Sequence, residues 1–214
     1  MKVRARNEED KQERRQAILD AGLSLWNETS YGELTMNAVA ERAGVVKGTL
    51  YLYFETKEQL FLALISDMMV GYFDDVDACL QEGGRWSKSR VVQVLSGALR
   101  GRDAFTRMLT VLGNICEHNV SYEQLVTFKR LTLARFTGTA ALLRKRLPFL
   151  GADGALRLVM HLSAVAAGLA QVSYPSPLLD KVLDLPGLQV MRVDLKTEFA
   201  AVAKALLDGM EKAR

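Results

Sequence analysis

The chain has little of several things, and each shortage removes a class of protein. Its two cysteines, Cys79 and Cys116, show no Cys-x-x-Cys spacing and build no disulfide framework. Its two histidines are His118 and His161. There is no Ser/His/Asp set, no His-x-x-x-His pair and no glycine-rich phosphate loop, so catalysis is not expected. Cys116-x-His118 cannot converge on one metal from a regular helix, because positions i and i+2 point apart; no metal site and no cofactor are expected. Proline is absent before Pro148, and strand-like alternation is scarce, which leaves helix as the default state. The N-terminus is polar and charged and lacks the apolar core of a secretory leader. One long apolar stretch, 158–179, has no Asp, Glu, Lys or Arg. It contains His161, Ser163 and Gln171 and stops being apolar at Tyr174, short of the roughly 20 apolar residues a membrane span requires. It reads as a buried interface helix, and the protein as cytoplasmic with no membrane partner.

Charge of one sign is also missing. The net charge is +3 and the first sixty residues are nearly balanced, so bulk electrostatics does not establish an anionic partner and placement must. The spacing predicts nine helices. They run from about Glu8 to Asn27, from Thr35 to Gly44, from Val46 to Phe54 and from Thr56 to Leu80, then from about Ser89 to Leu99, Arg102 to His118, Ser121 to Leu147, Asp153 to Val172 and Asp194 to Lys212. Thr35 and Asp194 are N-caps, and Thr56/Gln59 and Ser121/Gln124 are capping boxes. Gly44 supplies the positive φ of a tight helix–helix turn. Gly83-Gly84 marks a change of role. The stretch 173–193, holding Pro175, Pro177 and Pro186, reads as an irregular loop with short helical turns inside it.

Residues 35–54 are the most informative segment: two short helices joined at Gly44, the second led in by Lys47 and Gly48 and carrying Thr49, Tyr51 and Tyr53. A helix-turn-helix sets the N-terminal end of its second helix nearest the base edges of DNA. Gly48 permits close backbone approach. Thr49 offers a hydroxyl and a methyl, and Lys47 a flexible cation. Tyr51 and Tyr53 diverge by about 200° on a helix, so at least one phenol faces outward, where it can hold a phosphate oxygen. Leu50 and Phe54 are the core anchors. Lys57, one residue into the next helix, adds charge at a helix N-terminus that already favours an anion. Taken singly, each of these is also an ordinary solvated lysine or half-buried tyrosine; together on one short helix they point to DNA.

The segment resembles the tetracycline-repressor-like (TetR) family of bacterial transcription regulators. Ile18-Leu19, Ala21, Leu25-Trp26, Tyr31-Gly32, Thr35, Val39-Ala40, Ala43-Gly44-Val45, Lys47-Gly48-Thr49-Leu50-Tyr51, Tyr53-Phe54, Lys57-Glu58 and Leu60-Phe61 carry the likeness, across roughly residues 12–72. The resemblance implies that Thr35, Lys47, Gly48, Thr49, Tyr51, Tyr53 and Lys57 face DNA, mostly at phosphates. It also implies that residues 81–214 form a helical regulatory domain whose last two long helices make a homodimer. Two departures stand out. The family often has Ser where this chain has Val46, which removes a helix cap, and often His where it has Leu52.

The expected architecture is therefore all-α, an N-terminal three-helix DNA-binding domain (12–72) followed by a C-terminal helical ligand-binding and dimerisation domain (81–214). Leu156, Met160, Ala164 and Ala167 on one helix, with Phe199, Val202, Leu206 and Met210 on the last, suit a four-helix dimer contact. Phe105, Met108, Leu112, Cys116, Phe128, Leu131, Phe136 and Met160, with His161 or His118 as a polar contact, are candidates to line an effector pocket. Lys129, Arg130, Arg135 and the run Arg144-Lys145-Arg146 read as a solvated basic face. A redox role for either cysteine is a further possibility, set against burial as a small hydrophobe. The expected function is a ligand-relieved repressor acting as a homodimer on a near-palindromic double-stranded operator, responsive to an unknown small-molecule effector. A nonspecific architectural DNA binder and an all-helical enzyme are the alternatives.

Overall fold

The computed structural model describes the backbone of residues 2–212 and the side chains of 9–116 and 118–212. Within that range there are ten α-helices and no strand: α1 (Lys2–Glu28), α2 (Met36–Arg42), α3 (Lys47–Tyr53), α4 (Lys57–Gln81), α5 (Lys88–Gly97), α6 (Asp103–Glu117), α7 (Tyr122–Arg146), α8 (Gly151–Ser173), α9 (Pro177–Leu183) and α10 (Leu195–Lys212). The additional helix, α9, is a short helical turn of the kind expected inside the stretch 173–193. Pro177 opens it instead of breaking it, because the first helical turn needs no amide donor, and Ser176 caps it by accepting from the Leu179 amide.

The caps otherwise fall where local chemistry puts them. Thr35 accepts from the Ala38 amide at 3.2 Å and Asp194 from the Thr197 amide at 2.8 Å. Ser121 and Gln124 close a reciprocal box, with N–H to side-chain oxygen distances of 3.0 and 3.2 Å. At the start of α4 the Gln59 amide donates to Thr56 Oγ1, but the Gln59 carbonyl reaches back to the Glu55 amide, one residue earlier than in a standard box.

The chain divides into two compact units. The first holds the residues up to Asp67 together with Val111–Phe128; the second holds Met68–Thr110 and the residues from Lys129 onward. The division falls inside α4, before Gly83-Gly84.

In the first unit Ile18, Leu34, Val39, Leu50 and Phe61 are fully or almost fully buried. Trp26 and Tyr31 meet Phe61 edge-on at 5.4 and 4.8 Å, the orientation in which ring edges face π clouds. Arg42 on α2 reaches back to α1, donating to both Glu28 carboxylate oxygens and to Ser24 Oγ. Thr56 Oγ1 donates to the Asn119 carbonyl at 2.8 Å, joining the start of α4 to the α6–α7 turn within the same unit.

In the second unit α10 packs on α8 and α5. The second half of α4 is tied to α7 by Arg135 to Asp74 (2.7 Å), Thr139 to Asp77 (2.6 Å) and Arg146 to the Leu80 carbonyl (2.6 Å). The basic face read from sequence is thus only partly solvated: Arg135 and Arg146 are spent on α4, and Arg146 also stands 5.0 Å over the Trp86 ring. The segment 148–173 is long and apolar enough to cross a membrane by length and composition. Its faces differ, however. Ala155, Leu158, Val159, Leu162, Ala166 and Ala170 are buried, whereas Arg157, His161 and Gln171 are exposed.

Candidate nucleic-acid interface

The reading head is built on one turn. The amide of Gly44 donates to Glu41 O at 3.1 Å and that of Val45 to Ala40 O at 3.0 Å, so two otherwise unpaired carbonyls of α2 are satisfied as the chain reverses. Gly44 sits at φ +65° with open space where a Cβ would be, so backbone conformation alone selects glycine. The next helix, α3, has Val46 at its N-cap and no side-chain cap, as the missing hydroxyl implies.

Leu50 and Phe54 anchor α3 inward, and Arg15 lies 5.5 Å over the Phe54 ring. Lys47 and Gly48 are exposed, and Thr49 and Tyr53 are half-buried. Tyr51 is exposed with the Lys47 ammonium 5.8 Å from its ring centre, so a cation and a phenol share one flank of the helix. Thr35 is exposed. Its oxygen is occupied as a cap acceptor, which leaves its O–H proton available as a donor.

Lys57 has partners within the chain that the sequence did not show. Its ammonium donates to the carbonyls of Tyr31 (2.7 Å) and Leu34 (3.3 Å) and stands 4.1 Å from the Tyr31 ring centre. It fastens the α1–α2 loop to α4, and one proton of three remains for a phosphate. Tyr31 in turn donates to Glu58 at 2.8 Å; burial first, then that carboxylate, pushes its phenol well above the ordinary tyrosine range. Neither partner of this tie was visible in the sequence, since they lie 23 and 26 residues away.

The proposed effector residues are distributed over both units. Leu112, Cys116 and Phe128 belong to the first, and Phe105, Met108, Phe136, Met160 and His161 to the second. Within the second unit Phe105 stacks on Tyr72 at 6.0 Å, Tyr72 meets Phe73 at 5.1 Å and Phe73 meets Phe136 at 5.5 Å. Tyr72 and Phe73 were read only as part of the α4 stripe, and they are what joins Phe105 to Phe136. Polar groups near this cluster are also new. Thr106, buried, is hydrogen-bonded to the Tyr174 hydroxyl at 2.6 Å. Burial holds the Arg107 guanidinium below its ordinary range. By contrast Met160 and His161 lie on the exposed side of α8, away from the buried one, and His118 is exposed.

The dimer candidates divide likewise. Met160 and Ala164 are exposed, and Leu156, Ala167, Val202, Leu206 and Met210 are half-buried. Phe199 is 2% exposed and packs inside the protomer. Among the described residues no cluster of three His, Cys, Asp or Glu side chains is placed to hold a metal ion.

Comparison with known proteins fits this arrangement. The profile described as "Bacterial regulatory proteins, tetR family" matches residues 18–64, and "Tetracyclin repressor-like, C-terminal domain" matches residues 67–214. The chain belongs to the TetR family. The boundary between the two matches falls inside α4, close to the division between the compact units.

This TetR-family chain is 48% identical over 54 residues to the HTH-type transcriptional repressor KstR of Rhodococcus jostii, covering 25% of this chain and 26% of that protein. It is 29% identical over 79 residues to the fatty acid metabolism regulator protein of Bacillus subtilis, covering 37% and 40%. These matches span well under half the length of either relative. A possible TetR family transcriptional regulator from Streptomyces coelicolor A3(2) superposes with TM-score 0.62 at 22% identity, covering 94% of this chain and 100% of that one. At that identity the likeness concerns the fold. The family and the relatives are DNA-binding transcriptional regulators, not enzymes.

Proposed function

We propose that this regulator is a cytoplasmic repressor that acts as a homodimer on a near-palindromic operator and is released by a small-molecule effector. The observation that carries the proposal is α3: a short helix pinned by Leu50 and Phe54 with Lys47, Gly48 and Tyr51 exposed, beside the exposed cap Thr35. Lys47, Thr49, Tyr51, Tyr53 and Thr35 supply phosphate and base-edge contacts, and Lys57 contributes chiefly by holding the α1–α2 loop in place.

Dimerisation is supported by α8. Met160, Ala164, Gly168 and Val172 recur every four residues on its exposed face, a narrow apolar stripe that lets a second helix approach closely. On α10, which packs against α8, Val202, Leu206 and Met210 also recur every four residues and are half-buried. An effector that is largely apolar suits the cluster of Phe105, Tyr72, Phe73 and Phe136, with Thr106, Tyr174 and Arg107 as polar contacts. One solved relative in fold is described as a multidrug binding protein, EbrR, complexed with imidazole; it has TM-score 0.58 at 19% identity and covers 90% of this chain and 94% of that one. Paired heads must match grooves about 34–36 Å apart, so a modest change of their separation by the effector suffices to release DNA.

Binding to promoter-proximal and to random duplex, each at several salt concentrations, tests this. A specific regulator shows an affinity ratio of about 10³ or more, whereas a nonspecific binder shows only the salt slope. Unchanged operator affinity in the Lys47→Ala/Tyr51→Ala double variant would overturn the assignment of α3.

A further inference from the structure

The groove-facing surface of α3 has an apolar centre. At about 100° per residue, Gly48 and Leu52 each lie about 160° from the core anchor Leu50, on either side of the direction opposite the core. Lys47 and Tyr51 fall on one flank, and Thr49 and Tyr53 on the other. The exposures agree with this arrangement: Leu50 is 0% exposed and Leu52 85%, the largest exposure of any large apolar side chain among the described residues of the first unit. Gly48 has nothing within 4 Å of where a Cβ would stand. One turn of α3 therefore presents a bare backbone patch followed by an isobutyl group, with every polar candidate displaced to the sides.

A side chain without donors or acceptors cannot read the hydrogen-bonding edges of a base pair. The one major-groove feature it can read is the C5-methyl group of thymine. We propose that Leu52 is a specificity-determining residue that selects thymine in each half-site by packing on its methyl group. Gly48 leaves the space one turn earlier that lets the helix sit deep enough for that contact. The flanking Lys47, Tyr51, Thr49 and Tyr53 supply the phosphate contacts and the polar base-edge contacts; Leu52 adds the reading of thymine. An exposed leucine on an ordinary surface helix has no such meaning. Here the proposal rests on the reading of α3 as the helix that enters the groove.

The test uses the full-length protein and a duplex selected by it from a randomised pool. A second version of that duplex is synthesised with uracil in place of every thymine, which removes the methyl groups and keeps every hydrogen-bonding edge. One buried methyl contact is worth about four-fold in affinity, so two symmetric contacts make about fifteen-fold. The wild-type protein is expected to lose about that factor on the uracil duplex. Leu52→Ala is expected to bind both duplexes alike, close to the wild-type value on uracil. Leu52→Gln, which offers an amide suited to adenine, is expected to enrich a different base when the selection is repeated. Since Leu52 is exposed, neither variant disturbs the core, and thermal melting verifies that both are folded.

Equal wild-type binding to both duplexes, an undiminished thymine preference in Leu52→Ala, or a selected half-site without thymine would each overturn the role of Leu52 while leaving DNA reading by α3 intact. Failure to enrich any sequence would overturn that reading, and the proposal with it.

Discussion

Lys57 is the residue to whose reading the structure adds most. A lysine at the head of a helix next to a DNA-reading segment invites a phosphate, and its charge, position and neighbours all allowed that reading. The structure places its ammonium against two carbonyls and the face of Tyr31, a site that only the return of the α1–α2 loop creates. Replacing it by Met keeps the aliphatic stem and deletes three donors. Two carbonyls lose a charged partner, so Lys57→Met is expected to destabilise the protein by about 1–3 kcal/mol, read by urea denaturation. It is expected to leave the slope of log K against log salt nearly unchanged. A slope smaller by about 1 would instead mark a direct phosphate contact. Tyr51, Lys47 and Leu52 were easier to place, because a seven-residue helix with two inward anchors leaves few directions for the rest.

At the level of elements, end signals carried most of the information. Thr35, Ser121 and Asp194 cap the helices they were expected to cap, since a cap depends on residues three positions apart and on nothing distant. The same logic makes α3 improvable. Val46 is 74% exposed at an N-cap with no side-chain acceptor. Val46→Ser is expected to stabilise the protein by about 1 kcal/mol, a rise in melting temperature of roughly 2–4 °C.

In the second unit α4 and α5 are joined by Tyr72, whose buried hydroxyl donates to the Leu95 carbonyl at 3.1 Å and whose phenol is pushed above its ordinary range by burial. The folded state holds the neutral phenol, and the unfolded chain ionises near pH 10. The stability this provides is whole below about pH 10 and is lost as pH rises from there towards the folded-state value. A stability profile from pH 8 to 11 is expected to fall more steeply for the wild type than for Tyr72→Phe, which lacks the ionisable group. Tyr72→Phe is expected to be about 1 kcal/mol less stable at neutral pH, where its hydrogen bond is missing. Parallel profiles would dissociate the alkaline loss from Tyr72.

At the scale of the whole molecule, a single chain leaves apolar surface uncovered. α8 leaves Met160, Ala164, Gly168 and Val172 uncovered, and the connector after it exposes Leu178, Leu185, Val190 and Met191. A run of exposed apolar residues along one helix face marks an interaction surface more often than a solvated one. A carboxylate set into the α8 stripe is left uncompensated when two copies meet there. Ala164→Glu is accordingly expected to sediment as a monomer with an unchanged far-ultraviolet helical signal and to lose operator binding, because one head on one half-site forgoes the paired contact. A variant that remains dimeric would move the interface elsewhere on the surface.

The amino-acid sequence by itself determined the helices, their caps, the Gly44 turn and the membership of α3 in a reading head, because each of these is written in residues no more than about a turn apart. It also separated the inward anchors Leu50 and Phe54 from the outward-facing residues of α3. Contacts between distant residues decided the rest. They gave the Lys57 ammonium two carbonyl partners in the α1–α2 loop and brought Tyr72 and Phe73 between Phe105 and Phe136. They drew Phe199 into the protomer and put Met160 and His161 on the outside of α8. They also set the division between the compact units inside α4, where no sequence break exists. Helical periodicity states that a helix has two faces; only the neighbours packed against it decide which face is covered.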